Sequence, residues 1–135
     1  HRLPGHRAFT SIAKKDPRID LKRVSAIYNG NIPQSAEEQN SEWLSLYKKF
    51  QDNKIVYQAH RSFLLSRDMA TLTILLIPII FISHVLYQFD FMVTLYHLLG
   101  LFTLYVIIAI SANNYGKRFV ANVIVDATNA DNRSS

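Results

Sequence analysis

The chain has 135 residues, with 15 Lys or Arg against 10 Asp or Glu, a net charge of +5 and no cysteine. That allows one ordinary domain at most and excludes disulfides, thiolate metal sites and cysteine nucleophiles. The hydrophobic fraction of 49% is average, but the 21 residues from Met69 to Phe89 and the 26 from Phe91 to Gly116 carry no Asp, Glu, Lys or Arg, and each run exceeds the roughly 18 residues at which an apolar helix is read as membrane-spanning.

Residues 1–34 form a basic arm, with seven Lys or Arg against Asp16 and Asp20. Pro4, Pro17, Pro33 and the Asn29-Gly30 pair punctuate it. Only Asp20 to Tyr28 reads as helical, capped by Asp20, with Leu21, Val24 and Ile27 on one face and Asn29-Gly30 as the stop. The rest reads as loosely ordered. Arg7, Lys14, Lys15, Lys22 and Arg23 are the candidates for contact with lipid headgroups or a partner. Lipid is preferred to nucleic acid, because basic residues near a membrane each gain about 1 kcal/mol at an anionic surface. The opening HRLPGHRAFT has no apolar core of a cleavable signal, and a first residue of His rather than Met implies that the natural chain begins upstream.

Residues 35–68 balance five basic against five acidic residues. Ser35-Ala36-Glu37-Glu38 fits a capping box, and Trp43, Leu44, Tyr47 and Phe50 follow at helical spacing. Asp52-Asn53 is a candidate break, after which Val56, His60, Phe63 and Leu64 form a second apolar stripe. An amphipathic juxtamembrane helix of balanced charge suits a protein partner better than a lipid surface. His60 reads as a packed core histidine.

Residues 69–112 form the expected transmembrane hairpin, with spans over about 69–88 and 91–112. Pro78 removes an amide near the middle of the first span and frees the Ile74 carbonyl; Thr71 and Thr73 are the nearby hydroxyl candidates for it. Residues 113–135 continue as a helical extension, with Phe119, Val120, Val123, Ile124 and Ala127 on one face, and end in a polar tail, TNADNRSS, that reads as disordered. Twelve Lys or Arg precede the first span, three follow the second, and the connection has none. The positive-inside rule therefore places both termini in the cytoplasm and Asp90 on the far side, within an aromatic belt of Tyr87, Phe89 and Phe91.

The stretch ISHVLYQFDFMVTLYH holds the one constellation with chemical potential. With a turn centred near Phe89-Asp90, His84 and His97 fall at similar depth on the two spans. Three readings stand side by side: a mutually satisfied interfacial pair, a proton or ion path, and bis-histidine haem or metal ligation. Asp90 reads as a turn residue. Gly100, Ser111, Ala112 and Gly116 are the candidate helix-packing positions, since small residues permit close approach in lipid. Neither phosphate-binding glycine loops nor a Gly-x-Ser-x-Gly nucleophile occurs in the sequence, so no enzyme activity and no resident cofactor are expected.

The sequence thus describes an all-α membrane protein: a basic arm, an amphipathic juxtamembrane helix, a two-span hairpin and a C-terminal helical extension. The expected setting is the inner (cytoplasmic) membrane. Partners are lipids and either further copies of the chain or a larger membrane protein. Two functions are open: an assembling, membrane-perturbing effector controlled through its cytoplasmic region, whose layout is similar to that of two-span effectors of bacterial defence systems, or an accessory subunit anchoring a transporter, respiratory or secretion complex. A haem-carrying electron-transfer subunit is a third.

Overall fold

A computed structural model describes residues 4–87 and 90–134, and every regular element among them is helical. A 3₁₀ turn at Pro4–Arg7 and a π turn at Ala8–Ile12 lead into α1 (Ala13–Lys15). Then come α2 (Leu21–Ile27), α3 (Ala36–Phe50), α4 (Lys54–Tyr87) and α5 (Phe91–Ser134). The chain divides into two compact units, His1–Arg61 with Gly116–Ser135, and Ser62–Tyr115.

Local chemistry sets the helix limits in the first unit. Asp20 accepts from the Lys22 amide at 2.9 Å to begin α2, and positive φ at Asn29 (48°) and Gly30 (85°) ends its run. The Ser35 hydroxyl accepts from the Glu38 amide at 3.2 Å while the Glu38 carboxylate accepts from the Ser35 amide at 3.4 Å, closing the capping box of α3. Asn53 accepts from the Ile55 amide at 3.0 Å and starts α4. Asp52-Asn53 thus separate two helices.

The core of this unit draws on three distant stretches. Phe9, Ala13 and Val24 come from the N-terminal segment, Trp43 and Val56 from α3 and α4, and Phe119, Val120, Val123 and Ile124 from α5. The basic arm is therefore folded rather than loose, with Ala8 and Phe9 no more than 2% exposed. Its docking is specific. The Gly5 amide donates to Asn40 at 3.2 Å, and the buried Gln39 carbonyl oxygen accepts from the Phe9 amide, the Thr10 amide and the Thr10 hydroxyl at 3.1–3.2 Å. The Gln39 amide group donates to the Gln34 carbonyl at 2.9 Å. Gly5 lies against Trp43 so closely that a Cβ there would stand 2.8 Å from Trp43 Cε3. The polar end of the chain also differs from the expected disorder: α5 runs on to Ser134, and Thr128 is buried with its hydroxyl on the Val125 carbonyl at 2.9 Å.

The second unit holds the apolar stretches of α4 and α5, both long and apolar enough to cross a membrane. At 1.5 Å per residue, a 34-residue α4 exceeds the ~30 Å hydrocarbon core. Only 6% of the most apolar window of either helix is buried. α4 passes through Pro78 without a break. The Thr71 and Thr73 hydroxyls donate to the Arg67 and Met69 carbonyls at 3.1 and 2.8 Å, so neither is committed to the carbonyl freed by the proline.

Candidate functional site

The turn expected around Phe89-Asp90 lies partly outside the described residues. Asp90 itself is exposed and caps α5: its carboxylate accepts from the Met92 and Val93 amides at 2.9 and 3.1 Å, and its carbonyl accepts from the Thr94 hydroxyl at 2.7 Å. Its charge is used at a helix N-terminus, where an anion is stabilised by the unpaired amides and the helix dipole.

His84 and His97 face one another, with ring centroids 5.0 Å apart and planes inclined by 49°. Each is held by its own helix: His84 Nδ1 lies 2.9 Å from the Ile80 carbonyl, and His97 Nδ1 lies 2.8 Å from the Val93 carbonyl. A carbonyl can only accept, so each Nδ1 carries the hydrogen and Nε2 is the basic nitrogen of each ring. Axial ligation of a haem iron makes its own demand: metal–nitrogen bonds of about 2 Å, and about 1 Å more to each ring centre, set the centroids roughly 6 Å apart across the macrocycle. The observed 5.0 Å is shorter than that. Among the described residues no group of three or more His, Asp or Glu is arranged to hold a metal ion.

The helix-packing candidates have different surroundings. A Cβ on Gly100 would meet nothing within 4 Å, so the chain itself leaves that position open. Ser111, Ala112 and Gly116 are partly exposed. Comparison of this chain with known protein families, with curated proteins and with solved structures gave no match. The functional reading therefore rests on the residues themselves.

Of the basic candidates, Arg7, Lys14, Lys15, Lys22 and Arg23 are all exposed, and Arg23 is 3.8 Å from Asp20. Lys15 is set apart by its neighbours. It lines a cavity of about 590 Å³ with Arg18, Lys117 and Arg118, besides Ser11 and Asn122. Arg18 is fixed there: its Nε and Nη2 donate to the Asp16 carboxylate at 2.9 and 2.7 Å, and its Nη1 donates to Asn122 at 3.0 Å. The hydrogen bonds from Arg18 hold the Asp16 carboxyl below its ordinary range, and those same bonds raise the guanidinium further. Arg18, Lys117 and Arg118 are not legible as a group in the sequence, because the cavity joins segments about a hundred residues apart and the Lys117-Arg118 pair beside the apolar run is its one local signal.

A ring cluster completes the first unit. His60 stacks on Phe119 at 4.8 Å, and its Nδ1 lies 2.9 Å from the Tyr47 hydroxyl. Tyr47 stacks on Trp43 at 5.8 Å, and Trp43 meets Phe119 edge-on at 5.2 Å. Tyr47 and His60 satisfy one another within packed aromatics, which is a structural role.

Proposed function

We propose that the chain is a non-enzymatic integral protein of the inner (cytoplasmic) membrane, with both termini on the cytoplasmic side, whose two-span hairpins assemble and alter the permeability of the membrane under control of the first unit. The uncovered apolar surface of α4 and α5 carries this reading. Leu76, Ile79 and Ile107 are 45%, 58% and 57% exposed, and a continuous surface of that kind calls for lipid or other helices. The two spans cannot cover one another on all sides, and the open Gly100 gives a second helix a place of close approach. The facing imidazoles supply an ionisable pair in an apolar stretch, which is where proton paths are built.

The test is expression in cells with a membrane-potential dye, beside intact-mass measurement of the gently solubilised assembly. Depolarisation that His84→Leu or His97→Leu abolishes, from an assembly whose mass is a multiple of this chain, is the expected outcome. An unchanged potential under every condition would sink the permeability reading. The same open Gly100 face equally suits docking on a larger membrane protein, and one large partner at fixed stoichiometry would make the chain an accessory subunit. An absorption spectrum of the same sample decides on haem, since a Soret band lost in His84→Ala would show ligation despite the short ring spacing.

A further inference from the structure

We infer that the cavity between the N-terminal segment and the start of the first unit's share of α5 is a binding site for a phosphate-bearing anion. Four cationic side chains, Lys15, Arg18, Lys117 and Arg118, line one cavity with a single carboxylate, Asp16. That carboxylate is spent on Arg18, at 2.7 Å. Among the described residues Lys15, Lys117 and Arg118 have no ion-pair partner. Like charges gathered around one concavity concentrate counter-anions.

Two features favour phosphate over a simple halide. The first is orientation. Asp16 and Asn122 hold the Arg18 guanidinium from both sides and use three of its five N–H groups, which leaves its two remaining donors in fixed directions for phosphate oxygens, while Lys15 and Lys117 add point charges around it. The second is size. A volume of about 590 Å³ lies within the ~300–1,000 Å³ of ligand pockets and admits a phosphate with the group that carries it. The Ser11 hydroxyl and the Asn122 side chain on the wall add polar contacts for that remainder.

The phosphate has two possible sources, a lipid headgroup or a soluble phosphate ester. Only the lipid source rests on the membrane reading. Lys117 and Arg118 follow the apolar run of α5 directly in sequence, where anionic headgroups meet basic pockets on the cytoplasmic side.

The experiment uses the full chain, purified in neutral detergent and also placed in phosphatidylcholine nanodiscs with or without phosphatidylglycerol. Inorganic pyrophosphate is titrated by calorimetry, and native mass spectrometry counts retained phosphatidylglycerol. Lys117→Gln/Arg118→Gln removes two charges from the cavity, and Lys15→Gln probes it from the other segment. Lys48→Gln/Lys49→Gln removes two charges from α3 as a control. Each charge-assisted hydrogen bond lost weakens binding roughly tenfold, so both cavity variants bind at least that much more weakly while the control stays near wild type. Saturable pyrophosphate binding with this pattern assigns a soluble ester; one retained phosphatidylglycerol with this pattern assigns a headgroup. Circular dichroism melts matching wild type show that the variants are folded. Absence of saturable binding in both arms, or equal losses in the control, would overturn the site. Resistance of the chain to alkaline carbonate extraction reads the membrane assignment separately, and so tells failure of that reading from failure of the phosphate site.

Discussion

Replacing Gln39 by Met keeps its length and removes its polar atoms, and the structure fixes what is lost. The Gln39 carbonyl oxygen accepts from the Phe9 amide at 3.2 Å, the Thr10 amide at 3.2 Å and the Thr10 hydroxyl at 3.1 Å, while Gln39 itself is only 2% exposed. The Phe9 amide is buried, and an orphaned buried donor costs about 1–3 kcal/mol. The Thr10 amide is half-buried and adds about 0.5–1.5 kcal/mol, whereas the hydroxyl can rotate elsewhere. A total of about 3 kcal/mol raises the open population of residues 4–15 roughly 150-fold. Trypsin reports that population at Arg7, Lys14 and Lys15, because cleavage follows the opening equilibrium when reclosing is fast. Mass spectrometry of timed digests in detergent should show these three sites cut roughly a hundredfold faster, with a much smaller change at Lys48 and Lys49 within α3. Wild-type cleavage at the three sites would refute the pinning role; an equal rise at Lys48 and Lys49 would replace it with global destabilisation. Gln39→Glu keeps an acceptor oxygen but loses the donor to the Gln34 carbonyl, and its effect on the three sites should reveal how much of the loss belongs to acceptance.

Three further outcomes can be checked on the same preparation. Gly5→Ala drives a methyl to 2.8 Å from Trp43 Cε3, and because Trp43 is buried the overpacking should cost about 1–3 kcal/mol, read as a lower melting temperature of the first unit. Asp90→Ala removes the acceptor for the Met92 and Val93 amides; losing a cap of about 1 kcal/mol should speed hydrogen exchange at those amides about fivefold without changing the far end of α5. Burial, with a smaller contribution from the Glu42 charge, pushes the Tyr28 hydroxyl up to about 12 from an ordinary 10.0. The folded state therefore holds a proton that the unfolded chain releases first: the contribution is complete below pH 10 and is lost as pH rises towards 12. Tyr28→Phe should flatten that alkaline decline in melting temperature. It should cost little at pH 7, since the buried hydroxyl has no hydrogen-bond partner among the described residues.

What the sequence made legible was local or extreme. The capping box of Ser35 and Glu38, the Asp20 cap and the positive φ at Asn29-Gly30 each depend on residues within a few positions of one another. The two apolar helices are legible because their length and composition stand in uninterrupted uncharged runs of the sequence. The reading of residues 4–15 as loose failed for a corresponding reason. Its basic residues Arg7, Lys14 and Lys15 describe the exposed side of the segment, while its order comes from Gly5, Phe9 and Thr10 meeting Asn40, Gln39 and Trp43 about thirty residues away. Gln39 in particular looks like an ordinary polar helix residue until its face is known.

The same distinction applies to the two candidate sites. Matching depth for His84 and His97 could be counted from the turn, but their 5.0 Å approach required the rotation of both helices, which sequence spacing leaves free. For the cavity even the depth was hidden, because Arg18 and Asn122 meet across 104 positions. That long-range bond has a consequence for control. An anion that draws Lys15 and Arg18 towards Lys117 and Arg118 ties the N-terminal segment to α5, the helix that also carries His97. On the permeability proposed above, coupling of the two proposed sites requires that anion affinity and membrane current change together, since a ligand shifts an equilibrium only by binding one state better than another. A full chain in which saturating pyrophosphate leaves the current unaltered would separate them.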